Sequence, residues 1–501
     1  MKQFILLLSS VVILTAQHVH AQTPFSTKDS VNINRINAQV LVHGDMWWDP
    51  VTTQAKCEFP KGFGRHISFA SALWMSGYDA ANRLHVAAQT YRQRGNDFWP
   101  GPLDTSDTLT YATSQDWAKI WKVNRTDIQA FMALTTHTIA NTPVSILTWP
   151  ASGNTYAAGN SGAALTIAAG RQMAPFIDLN GNGIYEPLSG DYPAIKGDQA
   201  LWYILSDNGP SHTETNARPL GVEVSIMAYA YNRGTLIDNV IYYEYTIANK
   251  STNTYHDFRM GQYTDMNLGC RLDDYLGFDS SHRMGIIYNG VNDDGVTFGF
   301  PPGSYGAKTP VVGLTMVVQP GDMAGSIIPD CSFVSYNVDV SSIAHPTIDT
   351  EYNHLMRSRL KDGSSIMSYF LGYGSVRFVY PGDPSDTGRW SECGNGNAPG
   401  ERLFILSTND FSLAPGQTQK IVMALVTTDT GQGGCPSVNF DDIKIVADTA
   451  WHVYQNPPSP LELHEIENGQ IRIYPNPIHD RLFIETTAQA DEHITIFNAI
   501  G

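Results

Sequence analysis

Positive charge is scarce in this chain. Lys and Arg number 31 against 48 Asp and Glu, a formal net charge of −17. Phosphate recognition needs a basic face, so nucleic acid is not an expected partner, nor is docking on an anionic bilayer. Charged residues of both signs make up only 16% of 501 residues, while aromatics reach 11%. That balance excludes a disordered chain or a coiled coil. Cysteine is rarer still. Cys57, Cys270, Cys331, Cys393 and Cys435 show no CxxC spacing and no Cys/His cluster, so a structural zinc site is not expected. Signatures of catalysis are missing as well: there is no HExxH, GxSxG or Walker A pattern. Residues 303–309 (GSYGAKT) have the wrong spacing for a phosphate loop. Residues 159–162 (GNSG) lie in an Ala/Gly-rich stretch with no identifiable His and Asp partners. No catalytic residue is assigned. Beyond the N-terminal segment no run of 18 apolar residues occurs, so no transmembrane segment is expected in the mature chain.

What the chain does have is β pattern and turn chemistry. Short runs rich in β-branched and aromatic residues recur at 38–42, 67–74, 222–226, 240–248, 284–288, 311–318, 376–380, 403–407 and 421–426. Gly, Pro, Asn and Asp turns separate them. The expectation is a mainly β fold of multi-domain β-sandwiches with a few helices. Two helices are predicted. One spans 114–135, capped by Ser114, with Trp117, Ile120, Trp121, Ile128, Phe131 and Met132 near helical spacing. The other spans 438–455 and ends at Asn456-Pro457-Pro458. At the N-terminus, Lys2, the apolar run Phe4 to Leu14 and small residues before a cut at Ala21 read as a secretory signal. The expected organisation is a signal peptide over 1–21 and an N-terminal β-rich domain with one helix over 22–175. A β-sandwich region with a calcium-type loop follows over 176–455, and then a Pro-rich linker over 456–465. An exported chain can hold disulfides, and Cys393 with Cys435, both in Gly-rich loops, is the first pairing expected.

Two acidic segments are candidate metal sites. Residues 178–186 (DLNGNGIYE) follow the D-x-[DN]-x-[DN]-G spacing of a calcium loop. Asp178, Asn180 and Asn182 would present alternate oxygens, Ile184 its carbonyl, and Glu186 or Asp191 a closing carboxylate, with Asp198 a further possibility. Position 12, the bidentate Glu of an EF-hand, is Ser189 here, so this is not a standard EF-hand. Hard oxygen donors favour calcium, with a loop-stiffening role. A second, weaker set is Asp265, Asn267, Asp273, Asp274 and Asp279. It also reads as a solvated acidic loop, or as a source of a glycosidase carboxylate pair. Trp47-Trp48 and Phe98-Trp99 next to acids suit either a glycan-binding surface or a packed core.

The C-terminal segment 471–501 (IRIYPNPIHDRLFIETTAQADEHITIFNAIG) alternates apolar residues around a Pro break. Its Tyr474-Pro475-Asn476-Pro477, Leu482, Ile484 and the stretch to Gly501 resemble the type A C-terminal sorting domain of the type IX secretion system of Bacteroidetes. The resemblance implies a small β-sandwich over 466–501 that contacts the secretion machinery. It further implies that the domain is incomplete at Gly501. The body is similar to exported Bacteroidetes proteins at 72–79, 87–104, 178–208, 273–279 and 380–384. That likeness implies a secreted or surface location and no particular activity. The expected function is therefore a non-enzymatic, calcium-stabilised exported protein acting in adhesion or envelope contact. The alternative is a glycan-binding or glycan-degrading one.

Overall fold

The computed structural model describes residues 25–91, 95–322, 330–336, 344–368, 374–386, 388–429, 434–458, 472–474 and 483–485. The fold is mainly β, with two large antiparallel sheets and six α-helices among the described residues. The first sheet runs Ser332–Tyr336, Arg402–Ser407, Tyr255–Met266, Ala70–Tyr78, Asp45–Met46, Asn37–Leu41, Cys57–Glu58, His66–Ser68. The second runs Trp99–Pro100, Gln199–Ser206, Val222–Ala230, Val240–Asn249, Thr418–Thr427, Val312–Val318, Met284–Asn289, Asp274–Asp279. Each sheet takes strands from both sides of residue 175, so the hydrogen bonding does not pause at the expected boundary. Ala70–Tyr78, for instance, pairs with Tyr255–Met266.

The sheets pack face to face. Leu73, Met75, Met260, Phe404 and Leu406 of the first meet Leu201, Tyr203, Val224, Ile226, Tyr243 and Met423 of the second in one core. The other face of the second sheet is covered too. Trp202, Tyr229, Tyr242, Ala424 and Ile286 pack under Ile443, Val446, Ala447 and Ala450 of the helix Asp441–Gln455 and under residues of the 117–195 segment. A short helix, Asp349–Met356, lays Tyr352, Leu355 and Met356 on Trp74 and Tyr263 behind the first sheet. The second sheet is thus buried on both sides, which explains the near-continuous apolar run of Val240–Asn249. Successive tyrosines in that strand point to opposite layers. Tyr242 donates its hydroxyl to the Ala450 carbonyl at 2.7 Å, while the Tyr243 hydroxyl accepts from the Trp47 indole at 2.7 Å.

The helix expected over 114–135 is two helices, Tyr111–Trp117 and Arg125–Met132, with a strand, Trp121–Asn124, between them. Thr110, and not Ser114, caps the first. The strand wins because Trp121 and Val123 alternate inward and pair with Trp202 and Ala200, adding an edge to the second sheet. The helix expected at 438–455 spans Asp441–Gln455. Residues 376–380 form no strand; Phe378 makes an isolated bridge to Phe333. The Cys393–Cys435 disulfide is present, and Cys57, Cys270 and Cys331 are free and buried. It links the short helix Glu392–Asn395 to the loop that leads into the covering helix. With its ends 42 positions apart in sequence, chain-entropy reasoning assigns it about 4 kcal/mol. Replacing both cysteines by Ser should lower the unfolding free energy by about 2–4 kcal/mol in urea melts. A change under about 0.5 kcal/mol would show that the bridge constrains nothing.

Candidate metal centre

The 178–191 loop is closed at its base by a two-residue ladder, Phe176–Ile177 against Tyr192–Pro193. Asp191 braces it from inside. This buried carboxylate accepts the Leu179 amide through Oδ1 and the Glu186 amide through Oδ2, both at 2.9 Å. Asp178 accepts the amides of Gly181 and Gly183, each at 2.7 Å. The Gly183 amide, then that of Gly181, hold its carboxyl below the usual range despite some desolvation. Gly181 and Gly183 have φ of 73° and 76°, which the sharp turn requires and a side chain would strain. Asn180 Oδ1 accepts the Asn182 amide and Asn182 Oδ1 the Ile184 amide. Both Asn side-chain amides converge on Glu186 Oε2, at 3.0 and 2.6 Å. An amide oxygen has two lone pairs, so each Asn oxygen keeps one free for a cation. Buried Tyr185 anchors the loop through its hydroxyl to the Ile146 carbonyl. Asp198 is turned elsewhere, toward Arg233 at 2.8 Å and the Asn232 amide.

The second expected set divides. Asp273 and Asp274 are buried at the start of the strand Asp274–Asp279, and Asp294 joins them from the loop after Met284–Asn289. One ligand atom each from Cys270, Asp273 and Asp294 lies within 4.8 Å of the others. Asp294 accepts the Cys270 amide at 2.8 Å and the Tyr305 amide; Asp273 Oδ2 accepts the Gly295 amide at 2.8 Å; Asp274 Oδ2 accepts the Leu268 amide at 3.0 Å. Burial pushes all three carboxyls up, and for Asp274 and Asp294 the neighbouring carboxylates add to that rise. Burial likewise raises the Cys270 thiol to about 11. Asp265 is buried within Tyr255–Met266, and the Asn267 side-chain oxygen lacks a hydrogen-bond partner among the described residues. The sequence reading missed Asp294 and Cys270. The Asp293-Asp294-Gly295 turn after an apolar strand was the available signal.

Asp279 does not belong to this cluster. It ends the same strand, five residues on at roughly 3.3 Å each, and pairs with His282 at 2.5 Å. His282 also meets Asp448 of the covering helix at 3.0 Å. The aromatic segments are core. Trp47, Trp48, Phe98 and Trp99 are buried, and all ten tryptophans are buried or half-buried. A depression of about 280 Å³ lies over the second sheet, lined by Gln172, Trp202, Glu244, Thr246 and Lys420 among others. Glu244 is the only carboxylate among its lining residues. Burial pushes that carboxyl up, but Lys196 and Lys420 more than offset this and leave it below its ordinary value. Of the sorting motif, only the backbones of Tyr474 and Ile484 are described, in an antiparallel pair of Arg472–Tyr474 with Phe483–Glu485. Pro475, Asn476, Pro477, Leu482, Gly501 and the signal cleavage residue Ala21 lie outside the described residues.

No protein-family model matches the chain, and no curated protein matches it. Solved structures give faint likenesses. A GH36 α-galactosidase from Geobacillus stearothermophilus is 12% identical with a TM-score of 0.24, over 81% of this chain and 41% of that one. A putative aldose 1-epimerase from Escherichia coli is 9% identical with a TM-score of 0.19, over 72% and 99%. The galactosidase domain of an α-galactosidase–sucrose kinase is 11% identical with a TM-score of 0.20, over 80% and 41%. The chain thus spans about two fifths of either galactosidase sequence. Likenesses this slight decide nothing about its chemistry.

The Asp279–His282–Asp448 link gives a pH signature. Burial alone would push the imidazolium down, but the two carboxylates raise it to about 9. Burial pushes Asp279 up, yet His282 and Ser281 hold it at about 2. A raised His contributes fully below its unfolded value of about 6.5 and loses that contribution as pH climbs through its folded value. His282→Gln should therefore cost about 1.5–3 kcal/mol at about pH 6, with the difference from wild type shrinking as pH passes about 9. Urea melts that show equal destabilisation on both sides of that window would rule the charged pair out.

Proposed function

We propose that this protein is an exported, non-enzymatic β-sandwich protein, stiffened by calcium in the 178–191 loop and working at the cell surface in adhesion or envelope contact. The observation that carries the calcium reading is the loop's arrangement. Asp178, Asn180, Asn182 and Glu186 carry their oxygens on one Gly-punctuated turn that their own hydrogen bonds hold in shape, while buried Asp191 braces the backbone. Oxygen donors on a Gly-punctuated loop suit calcium, which takes 6–8 oxygen ligands in flexible geometry. Ile184 would add its carbonyl. Export is supported by the signal-like N-terminus, by the likeness of 474–501 to a type IX sorting tail, and by the Cys393–Cys435 bridge, which suits an oxidising compartment. The secretion machinery would then be a partner during export.

Glycan binding is a second reading, favoured by the depression over Trp202. It joins an aromatic floor to the hydrogen-bonding groups of Gln172, Glu244, Thr246 and Lys420. Glycan cleavage is not proposed there. Hydrolysis uses two facing carboxyl groups, and the lining offers one, held ionised by two lysines.

A thermal melt in calcium and in chelator tests the first reading. A site that binds only the folded state stabilises by about 2.7 kcal/mol at 100-fold excess over its dissociation constant, and the midpoint should rise by several degrees. Asp178→Ala should remove that part of the shift. A midpoint indifferent to calcium would end the reading.

A further inference from the structure

We propose that the buried corner formed by Asp273, Asp294, Asp274 and Cys270 is a second, independent site for a hard divalent cation of the calcium kind. It goes beyond the exposed 178–191 loop and shares no residue with it.

Proximity of acids alone would not carry this. What carries it is a set of buried oxygens left without donors. Asp273 is 1% exposed and Asp274 0%; Oδ1 of Asp274 has no hydrogen-bond partner among the described residues, and Asp273 has beside it only the Cys270 thiol and the Asp294 carboxyl. Asn289 repeats the pattern. It lies directly opposite Asp274 in the strand register, on the same face, and is 0% exposed. Its side-chain amide donates to the Val291 carbonyl at 2.7 Å, while its Oδ1 has no partner. Asn267 Oδ1, just upstream, is a third such atom. Buried polar atoms in native proteins are nearly always paired, and each exception calls for a cause such as an ion. Two of the exceptions here, Asp274 Oδ1 and Asn289 Oδ1, are acceptors on residues directly opposite each other in one strand pair.

Charge gives the same answer. Three carboxyl groups are buried together, and in their ionised form they would need a compensating cation. Arg402 reaches Asp274 but is committed to Glu392 at 2.7 and 2.9 Å. Arg271 faces outward to Glu401. Backbone amides take one oxygen of Asp273 and of Asp274 and leave the other. A divalent ion would supply the missing positive charge and engage the orphaned oxygens together. The donors are carboxylate and carboxamide oxygens, which suit a hard cation. The nearby Cys270 sulfur is a soft donor, less suited to a hard cation than these oxygens. The corner is also held firmly. Gly269, at φ 67°, lets the backbone pass Asp294, where a Cβ would come within 2.2 Å of Oδ2. The Cys435 amide donates to the Asn289 carbonyl at 3.1 Å, so the disulfide clamps the adjoining strand end.

The test uses the full chain with Asp178→Ala, stripped with chelator and titrated with calcium chloride in a calorimeter. The expected result is one equivalent bound, and none after adding Asp294→Asn. Amide exchange covers the case in which that variant fails to fold. In the Asp178→Ala protein, calcium should slow exchange within 268–274 and 294–306 and leave the 178–191 loop unchanged. If the Asp178→Ala protein binds no calcium and exchange in those segments does not change, the proposal fails. Uptake of zinc in place of calcium, with Cys270 ligated, would overturn the assignment to a hard cation. The two sites remain distinguishable. Wild type binding one equivalent that Asp178→Ala abolishes would leave only the loop site, whereas one equivalent that survives it would leave only the buried one.

Discussion

Burial of the second sheet on both faces is the constraint on which the rest of the molecule depends. Its strand Val240–Asn249 has the first sheet on one side and the helix Asp441–Gln455 on the other. Every phenol placed there must find a partner in a different layer. Tyr242 finds a helix carbonyl, Tyr243 an indole, and Tyr245 the Gln262 side chain at 3.0 Å across the sandwich. Those bonds fix how the layers face each other, because an unpaired buried hydroxyl would cost about 1–3 kcal/mol. The helix is in turn held by the disulfide before it and by the His282–Asp448 pair on its flank.

A chain so short of cations cannot pair every buried acid as it pairs Glu392 with Arg402, so it stabilises others in another way. It uses backbone amides. Asp97 accepts the amides of Ala88 and Glu214, Asp207 those of Leu220 and Val222, and Asp238 those of Arg233 and Gly234. Asp97 and Asp207 thereby tie separate segments together, and Asp238 closes its own turn as Asp191 does beneath the 178–186 turn. The corner at Asp273 and Asp294 begins the same way and then leaves oxygens over, which sets it apart from the purely structural carboxylates.

Much of the fold was legible from pattern. The strands at 240–248, 403–407 and 421–426 and the helix at 438–455 fall where β-branched runs or a 3.6-residue period put them. The failures share a cause. Trp121 fits helical spacing with Trp117 and Ile120 and strand alternation with Val123, and only the edge of a sheet whose next strand lies some 80 residues on decides between them. Long-range pairing is not written in a local window. Tryptophans beside acids suit a binding surface or a core equally in a local window, and the second sheet covering Trp47 decides for the core. At the sites, the 178–186 spacing was readable because its oxygens come from one turn. The buried corner was half readable. Asp273 and Asp274 are adjacent in sequence, but Asp294 and Asn289 reach them only through the hairpin of Asp274–Asp279 with Met284–Asn289. Asp279 misled for the same reason, since a strand carries its two ends far apart.

Anomalous scattering from crystals grown in calcium would test the central claim, a β-sandwich stiffened by ions, most directly. Under that claim, bound calcium would give one anomalous peak among Asp178, Asn180, Asn182 and Glu186, and another between Asp273 and Asp294. Well-ordered density at both places with no anomalous signal, only water or directly paired carboxyl groups, would contradict it.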